Sequence, residues 1–489
     1  MADPMVPDKD IIPPVEVYRR LLSHSLAYWP LMAVAIVAMV ATAAAETGFA
    51  AIMRPLLDGS FVERDPDVIR WIPYALVGIF IVRGGSGFFS GYFMSYIGRQ
   101  VVKELRAKMF DQLLRMPVSY YDNASSGQLL SRLTYNVEQV AQASTDSITV
   151  LVRDSLTVIG LVAWMFYLNW TLALSIIVVG PVIAGIVAYI TRRFRRISRR
   201  IQGSMGDVSH VAEEMIDGHR VVKIFGGEDY ERAHFEAANE RNRALHMKMV
   251  ATHSASVPLI QFILAVVLAF IVYLATLDSM QDTVTVGTFV SFMTAMLMLL
   301  SPIKRLTSVN MMLQKGIAAG QNIFLLLDEP VEQDHGTLRI ERARGEIEFR
   351  DVRFAYTPEK GDVLKGISFR AEPGRTVAFV GRSGSGKSTL VHLLPRFYLP
   401  REGRVLLDGA DIDQYRLSDL RRQIAYVGQD VTLFNDSIAR NIAYGCLEDM
   451  PQERIIAAAE AAHAMEFIRR LPDGLETHVG ENGVLLSGG

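Results

Sequence analysis

Long apolar stretches in the first 300 residues constrain the fold more than any other feature of this chain. Four of them hold about 20 residues and no charged side chain, which is the length that a membrane-spanning helix needs. A fifth is as apolar but carries Arg83, and a sixth span is implied around Arg153 and Asp154. The six predicted spans are residues 28–45, 71–97, 141–168, 171–191, 257–277 and 284–303.

The distribution of Lys and Arg around the predicted spans gives their orientation. Basic residues concentrate in 98–115 and directly after 191, whereas 167–170 and 278–287 contain none and 54–70 contains three Arg. We therefore expect both termini in the cytoplasm. The regions 98–140 and 192–250 keep a helical period, so we expect the spans to continue into the cytosol and to meet at the turns 120–127 and 216–228.

Composition agrees with a membrane part joined to a water-facing part. Half of the 489 residues are hydrophobic, and 21% are charged. This length suggests two or three domains. The net charge of −2 gives no general attraction to nucleic acid, and the single Cys446 excludes an internal disulfide framework. The acidic, Pro-rich N-terminus is unlike a signal peptide, so we expect the first apolar segment to remain as an anchor.

A phosphate-binding motif dominates the second half of the chain. Residues 381–389 read GRSGSGKST, which fits the G-x-x-x-x-G-K-[ST] loop of nucleotide triphosphatases. The apolar run 376–380 before it predicts a buried parallel strand, and 389–394 can open a helix. Lys387 is placed to reach the β- and γ-phosphates, and the Ser388 hydroxyl to bind Mg²⁺. The candidate ATP-binding residues here are Gly381, Arg382, Ser383, Gly384, Ser385, Gly386, Lys387, Ser388 and Thr389.

Further strand patterns surround this loop. The runs 346–352 and 404–407 predict strands, and 424–427 predicts another that ends before Gln429. Tyr356 stands where an aromatic ring could stack on a base. The run 323–330 ends in Asp-Glu as an ATPase strand does, but it precedes the phosphate loop, so we interpret it as a helix end that leads into a linker.

At this point the chain resembles an ABC exporter half-transporter, which is a six-span helical membrane domain fused to an α/β P-loop ATP-binding domain. The resemblance implies that Tyr356 stacks on adenine and that Gln429 contacts Mg²⁺ and the attacking water. It also implies that residues 486–489 are the signature motif, so that Ser487, Gly488 and Gly489 bind ATP held by a second copy in a homodimer. The turns 120–127 and 216–228 match the coupling helices.

Three basic residues lie inside or at the end of the predicted spans, where charge is costly unless it faces protein, water or a ligand. They are Arg83, Arg153 and Lys304. Lys304 could instead snorkel to the interface, and Arg153 could pair with Asp154 or a neighbouring helix. Glycines 84, 85 and 87 beside Arg83 would permit a close approach of a helix or ligand.

Within the family, the chain is most similar to the bacterial lipid A exporters. That likeness rests on 382–387, 433–436, 441–444, 480–489 and 302–310. It implies ATP-driven flipping of lipid A–core, a lipopolysaccharide precursor, across the inner membrane, with Arg83, Arg153 and Lys304 around the substrate's phosphates. A multidrug or general lipid exporter and a hydrolysis-dead scaffold are the alternatives.

The resemblance also indicates what these 489 residues lack. The strand with the Mg²⁺-binding Asp and the catalytic Glu would follow the signature motif, and we expect the sequence to be partial. We therefore expect an incomplete ATP-binding domain that binds ATP weakly and does not hydrolyse it. The predicted domains are a cytoplasmic segment 1–27, a transmembrane domain 28–320, a linker 321–344 and an ATP-binding domain 345–489.

Overall fold

The computed structural model describes residues 12–275, 284–357, 361–429, 432–480 and 483, and at some positions, most of them in helices α8 and α10, it describes the backbone alone. The chain divides into two compact units. The first contains residues up to Met116 and Asn123–Val331, and the second contains Pro117–Asp122 and the residues from Glu332 onward.

The first unit is helical throughout its described part. Its helices are α1 Pro14–Leu26, α2 Trp29–Leu57, α3 Pro66–Arg115, α5 Ser126–Ser131, α6 Val137–Thr149, α7 Ser155–Leu168, α8 Trp170–Asp217, α9 His219–Phe225, α10 Glu228–Ala275 and α11 Val286–Leu327; α4, Val118–Asn123, lies almost wholly in the second unit. Short π-helical segments extend α2 and join α5 to α6 and α6 to α7.

Four helices of the described part are long and apolar enough to cross a membrane. They are Trp29–Val62, Pro66–Arg115, Ser126–Leu168 and Val286–Leu327. They contain the predicted second and third spans completely, the first span except residue 28, and the sixth span except residues 284 and 285. The predicted spans 171–191 and 257–277 lie mostly in α8 and α10, which have 48 residues each; residues 276 and 277 lie outside the described part.

Two apolar clusters of described residues lie in the core of this unit. One joins Met32, Ala35 and Met39 of α2 to Met94 and Ile97 of α3. The other packs Ala50 of α2 against α7 and α11, and it contains Leu161, Met165, Phe292, Met296 and Leu299 among its buried members. Glu46 therefore lies between the two clusters along α2. Arg153 and Asp154, in the π-helical segment directly before α7, also lie between them along their helix.

The helix α11 continues to Leu327, through residues that the sequence assigns to the linker. The run 323–330 is thus a helix end, as expected from the sequence, and not an ATPase strand. Residues 332–336 follow without helix or strand.

The second unit is built on a small antiparallel sheet with the strand order β2-β1-β3-β4. The strands are β1 Ile347–Phe354, β2 Leu364–Ala371, β3 Glu402–Leu407 and β4 Ala410–Asp411. Phe349 of β1 is paired with Phe369 on one side and with Val405 on the other. The helices of this unit are α12 Lys387–Leu393, α13 Leu417–Arg421, α14 Ile438–Ile442, α15 Gln452–Ala461 and α16 Met465–Ile468.

Two strand predictions are wrong. Residues 376–380 and 424–427 form neither helix nor strand, and Val380 and Val427 are 92% and 94% exposed. A buried parallel strand exists only with hydrogen-bonded neighbours, and no strand of the described residues pairs with either segment. Phe379 nevertheless packs on Phe369 of β2, with ring centroids 5.2 Å apart.

Candidate functional site

The phosphate-binding loop lies between the segment 376–380 and the start of α12. Two of its glycines adopt left-handed backbone conformations, with φ of 80° at Gly384 and 86° at Gly386. A Cβ at Gly384 would meet no atom within 4 Å, whereas one at Gly386 would lie 2.9 Å from the Leu364 side chain. The loop thus has open space at Gly384, and Gly386 allows it to pack closely on the start of β2.

The side chains at the start of α12 differ in what they contact. The Lys387 ammonium donates to the carbonyl oxygens of Gly381 and Arg382, at 2.9 and 3.0 Å. Thr389 is buried, and its hydroxyl is 2.8 Å from the Tyr356 hydroxyl. Ser388 is exposed. The Lys387 ammonium is thus hydrogen-bonded within the loop, whereas the Ser388 side chain is open to solvent.

Tyr356 belongs to a cluster of aromatic rings beside the loop. Its ring packs edge-to-face on Phe354 and on Tyr398, at centroid distances of 4.9 and 5.1 Å. The Tyr398 hydroxyl donates to Asp122 of α4, within the same unit. Tyr356 is itself exposed, so an adenine ring could stack on it as the sequence predicts.

The remaining predicted ATP contacts are described only in part. Arg382 and Ser383 are exposed. Gln429 is also exposed, and the segment before it is connected to α12 by a 3.1 Å hydrogen bond between Tyr426 and His392. Ser487, Gly488 and Gly489 lie outside the described residues.

The three basic residues predicted in the membrane domain have different surroundings. An Nη atom of Arg83 lies 3.5 Å from the Glu46 carboxylate, and Arg153 donates through Nε to Asp154 at 3.1 Å. Lys304 is exposed, and no ion pair to it is seen in the described part of the chain. A Cβ at glycine 84, 85 or 87 would meet no atom within 4 Å, so these glycines do not mark a close helix contact among the described residues.

Sequence reasoning missed three members of this charged group. Arg305 of α11 makes a bidentate contact with Asp154, at 2.6 and 2.9 Å. Thr157 donates to Glu46 at 3.1 Å, and Glu46 directly follows the first predicted span, 28–45. A signal was present, because a carboxylate beside an apolar stretch requires a cationic or hydrogen-bonding partner.

Comparison with known proteins identifies both halves of the chain. Residues 32–303 match the family described as ABC transporter transmembrane region, and residues 364–489 match the family described as ABC transporter. A protein of Nitrosococcus oceani called ATP-dependent lipid A-core flippase is 55% identical over 97% of this chain and 79% of its own length.

Other relatives carry the same name. The protein of Methylococcus capsulatus is 49% identical over 97% of this chain and 79% of its own length. That of Pectobacterium atrosepticum is 44% identical over 99% of this chain and 83% of its own length. Since the matches span the membrane helices and the phosphate-binding loop together, the chain belongs to the ABC transporter family as a multi-pass exporter with an ATP-binding domain.

Proposed function

We propose that this protein uses ATP to flip lipid A–core from the inner to the outer leaflet of the bacterial inner membrane, with both termini in the cytoplasm. The observation that carries the proposal is an excess of positive charge within an apolar helical unit, at Arg83, Arg153, Arg305 and Lys304. Lipid A is anionic and carries several acyl chains, so basic groups among apolar helices suit it. The name shared by the similar proteins supports the same substrate.

In the proposed function, ATP binds at the loop 381–389. Lys387 contacts the phosphates, Ser388 and Gln429 bind Mg²⁺, and Tyr356 stacks on the adenine. The working unit is a homodimer, in which Ser487, Gly488 and Gly489 of one copy contact ATP held by the other. The exposed Ser388 hydroxyl supports the Mg²⁺ role, because the neighbouring hydroxyl of Thr389 is buried and bonded to Tyr356. Mg²⁺ would add positive charge beside the phosphates.

Binding of two lipids tests the substrate. The purified chain in nanodiscs is titrated with lipid A that carries its phosphates and with dephosphorylated lipid A. We expect the phosphorylated lipid to bind at least about 10-fold more tightly, and Arg83→Ala/Arg153→Ala to abolish the difference. Arg64→Ala/Arg70→Ala is the matched control. Both arginines are exposed, Arg64 on the connection between α2 and α3 and Arg70 near the start of α3. Equal binding of both lipids by the unmodified chain would favour a multidrug or general lipid exporter.

The expectation that these 489 residues do not hydrolyse ATP stays a prediction. Its measurement is phosphate release from Mg²⁺-ATP by the purified chain. We expect no release above that of Lys387→Ala, because none of these residues is a candidate for the catalytic base. Release by the unmodified chain that is lost in Lys387→Ala would contradict the prediction without affecting the proposed substrate.

A further inference from the structure

Five charged side chains of the helical unit form two groups. In one group Arg83 of α3 is paired with Glu46 of α2, and in the other Arg153 and Asp154 of the π-helical segment Val150–Asp154 meet Arg305 of α11. Glu46, Arg153 and Asp154 lie between the two apolar clusters along their helices, and an electrostatic attraction between Arg305 and Glu46 links the groups. With three arginines and two carboxylates, the two groups together carry one positive charge in excess. A π-helical segment inside a long helix often occurs at a functional site.

Asp154 is the most buried member. Its side chain is 1% exposed, so an ionised carboxylate there needs full compensation. Arg305 supplies it through Nε and Nη2, and the Nη1 atom of the same guanidinium donates to Ser301 at 2.6 Å. This bidentate geometry is the strongest form of an arginine–carboxylate pair. Arg305 is therefore fixed, and Asp154 still accepts one hydrogen bond from Arg153.

The ion pair between Glu46 and Arg83 is weaker than the pair between Asp154 and Arg305. The Arg83–Glu46 separation of 3.5 Å is long for a hydrogen bond, and the side chains are 42% and 18% exposed. The other oxygen of Glu46 accepts a hydrogen bond from Thr157, which keeps the carboxylate oriented if Arg83 leaves. An anion that approaches Arg83 thus competes with a weak partner rather than a strong one.

We propose that Glu46 is a displaceable counter-ion, which neutralises Arg83 until a substrate phosphate takes its place, and that Asp154 with Arg305 is a fixed pair that positions Arg153. This inference rests on the proposed function, since it assigns the state of the same site before substrate binds. Glu46 is then a specificity-determining residue, because only an anionic ligand can replace it. Arg153 reaches the ligand with the guanidinium nitrogens that do not donate to Asp154.

Glu46→Gln tests the displaceable counter-ion. The substitution keeps the size and the acceptor for Thr157 but removes the charge that competes for Arg83. We expect phosphorylated lipid A to bind about 3- to 10-fold more tightly to this variant, with no change for dephosphorylated lipid A. Asp146→Asn is the matched control, since Asp146 is a carboxylate on α6 of the helix Ser126–Leu168 and accepts its described hydrogen bond from Thr145. Unchanged or weaker binding of the phosphorylated lipid to Glu46→Gln would overturn the role of Glu46.

The fixed pair is tested by removing it as a whole. Loss of one partner leaves a buried charge and can prevent folding, so the variant is Asp154→Asn/Arg305→Gln. We expect this variant to fold and to lose most of the preference for phosphorylated over dephosphorylated lipid A, by about 10-fold, because Arg153 loses its anchor. Asp154→Glu keeps the charge and should retain part of the preference. A double variant with the full preference would overturn the positioning role.

The outcomes separate this inference from the proposed function. If the unmodified chain binds both lipids equally, the proposed substrate itself is wrong. A second outcome is that the unmodified chain prefers the phosphorylated lipid while Glu46→Gln and Asp154→Asn/Arg305→Gln show the same preference. The proposed substrate is then correct, and the roles assigned to Glu46 and to the Asp154–Arg305 pair are wrong.

Discussion

Two adjacent hydroxyl groups in the phosphate-binding motif have different tasks because burial separates them. Thr389 lies in the core and shares a hydrogen bond with Tyr356, whereas Ser388 is exposed beside the open side of the loop. The Lys387 ammonium meanwhile donates to two loop carbonyls. Binding of a phosphate would exchange these neutral acceptors for a charged one, which makes stronger hydrogen bonds.

Ser388→Ala tests whether the exposed hydroxyl binds Mg²⁺. We expect the variant to bind ATP almost as the unmodified chain does when Mg²⁺ is absent, and to lose about 10-fold or more of the gain that Mg²⁺ gives. Titration of ATP with and without Mg²⁺ measures this. Thr389→Ser is the control, because it keeps the hydroxyl that contacts Tyr356. An unaltered Mg²⁺ gain in Ser388→Ala would show that Ser388 is not the ligand.

Some of the charged residues in the helical unit can be predicted from the sequence, and others cannot. Arg83 and Arg153 are conspicuous because each interrupts an apolar stretch. Arg305 is not, because it lies next to Lys304 at the end of a span, where a basic residue is ordinary. Its contact with Asp154 joins residues 151 positions apart, and such a contact depends on how helices pack.

At the scale of single elements, α1 is attached to the end of α11 by several contacts. Arg20 makes a bidentate pair with Asp328, at 2.5 and 2.8 Å, and its guanidinium lies 4.2 Å from the centre of the Phe324 ring. Gln321 also donates to the Ile12 carbonyl. The side-chain hydrogen bond to Asp328 raises the pKa of Arg20, and partial burial opposes that shift.

Arg20→Ala should therefore loosen α1. We expect the midpoint of thermal unfolding to fall by about 1 to 3 °C, since a partly exposed pair with a cation–π contact contributes roughly 1 kcal/mol. Arg19→Ala is the matched control, because Arg19 is exposed on the same helix. Equal midpoints for the two variants would mean that the Asp328 and Phe324 contacts do not stabilise the protein.

The tip between α9 and α10 is closed by a turn and an ion pair. Gly226 adopts a left-handed conformation with φ of 62°, and Lys223 donates to Glu228 at 2.9 Å. The hydrogen bond from Lys223 lowers the pKa of Glu228. A carboxyl whose pKa is lower in the folded state stabilises that state above its usual pKa, and the contribution is lost as the pH falls through the lowered value.

Hydrogen exchange of amides 226–228 measures that pH dependence. We expect their protection factors to be constant from neutral pH down to about 4.5, near the usual carboxyl pKa, and to fall below it. In Glu228→Gln the protection should be lower at neutral pH and should not change with acidification. The same acid-induced loss in Glu228→Gln would show that another group controls the turn.

In the whole molecule, the helices of the first unit can be predicted well from the sequence, and the strands of the second unit can be predicted less well. In a lipid bilayer a run of about 20 apolar residues forms a helix, because only the helix satisfies its backbone hydrogen bonds within one segment. A strand depends on partners that are distant in sequence. Residues 347–354 have them in β2 and β3, whereas 376–380 and 424–427 have the strand-like composition without a described partner strand.

In the proposed function, ATP binding at the loop 381–389 is coupled to the binding of phosphorylated lipid A by the helical unit. Coupled sites influence each other reciprocally. The coupling is measured as the ATP affinity of the purified chain in nanodiscs with and without phosphorylated lipid A. We expect a shift of about 5-fold or more, which is absent with dephosphorylated lipid A and in Arg83→Ala/Arg153→Ala. An ATP affinity that is the same with and without the phosphorylated lipid would show that the two sites are not coupled.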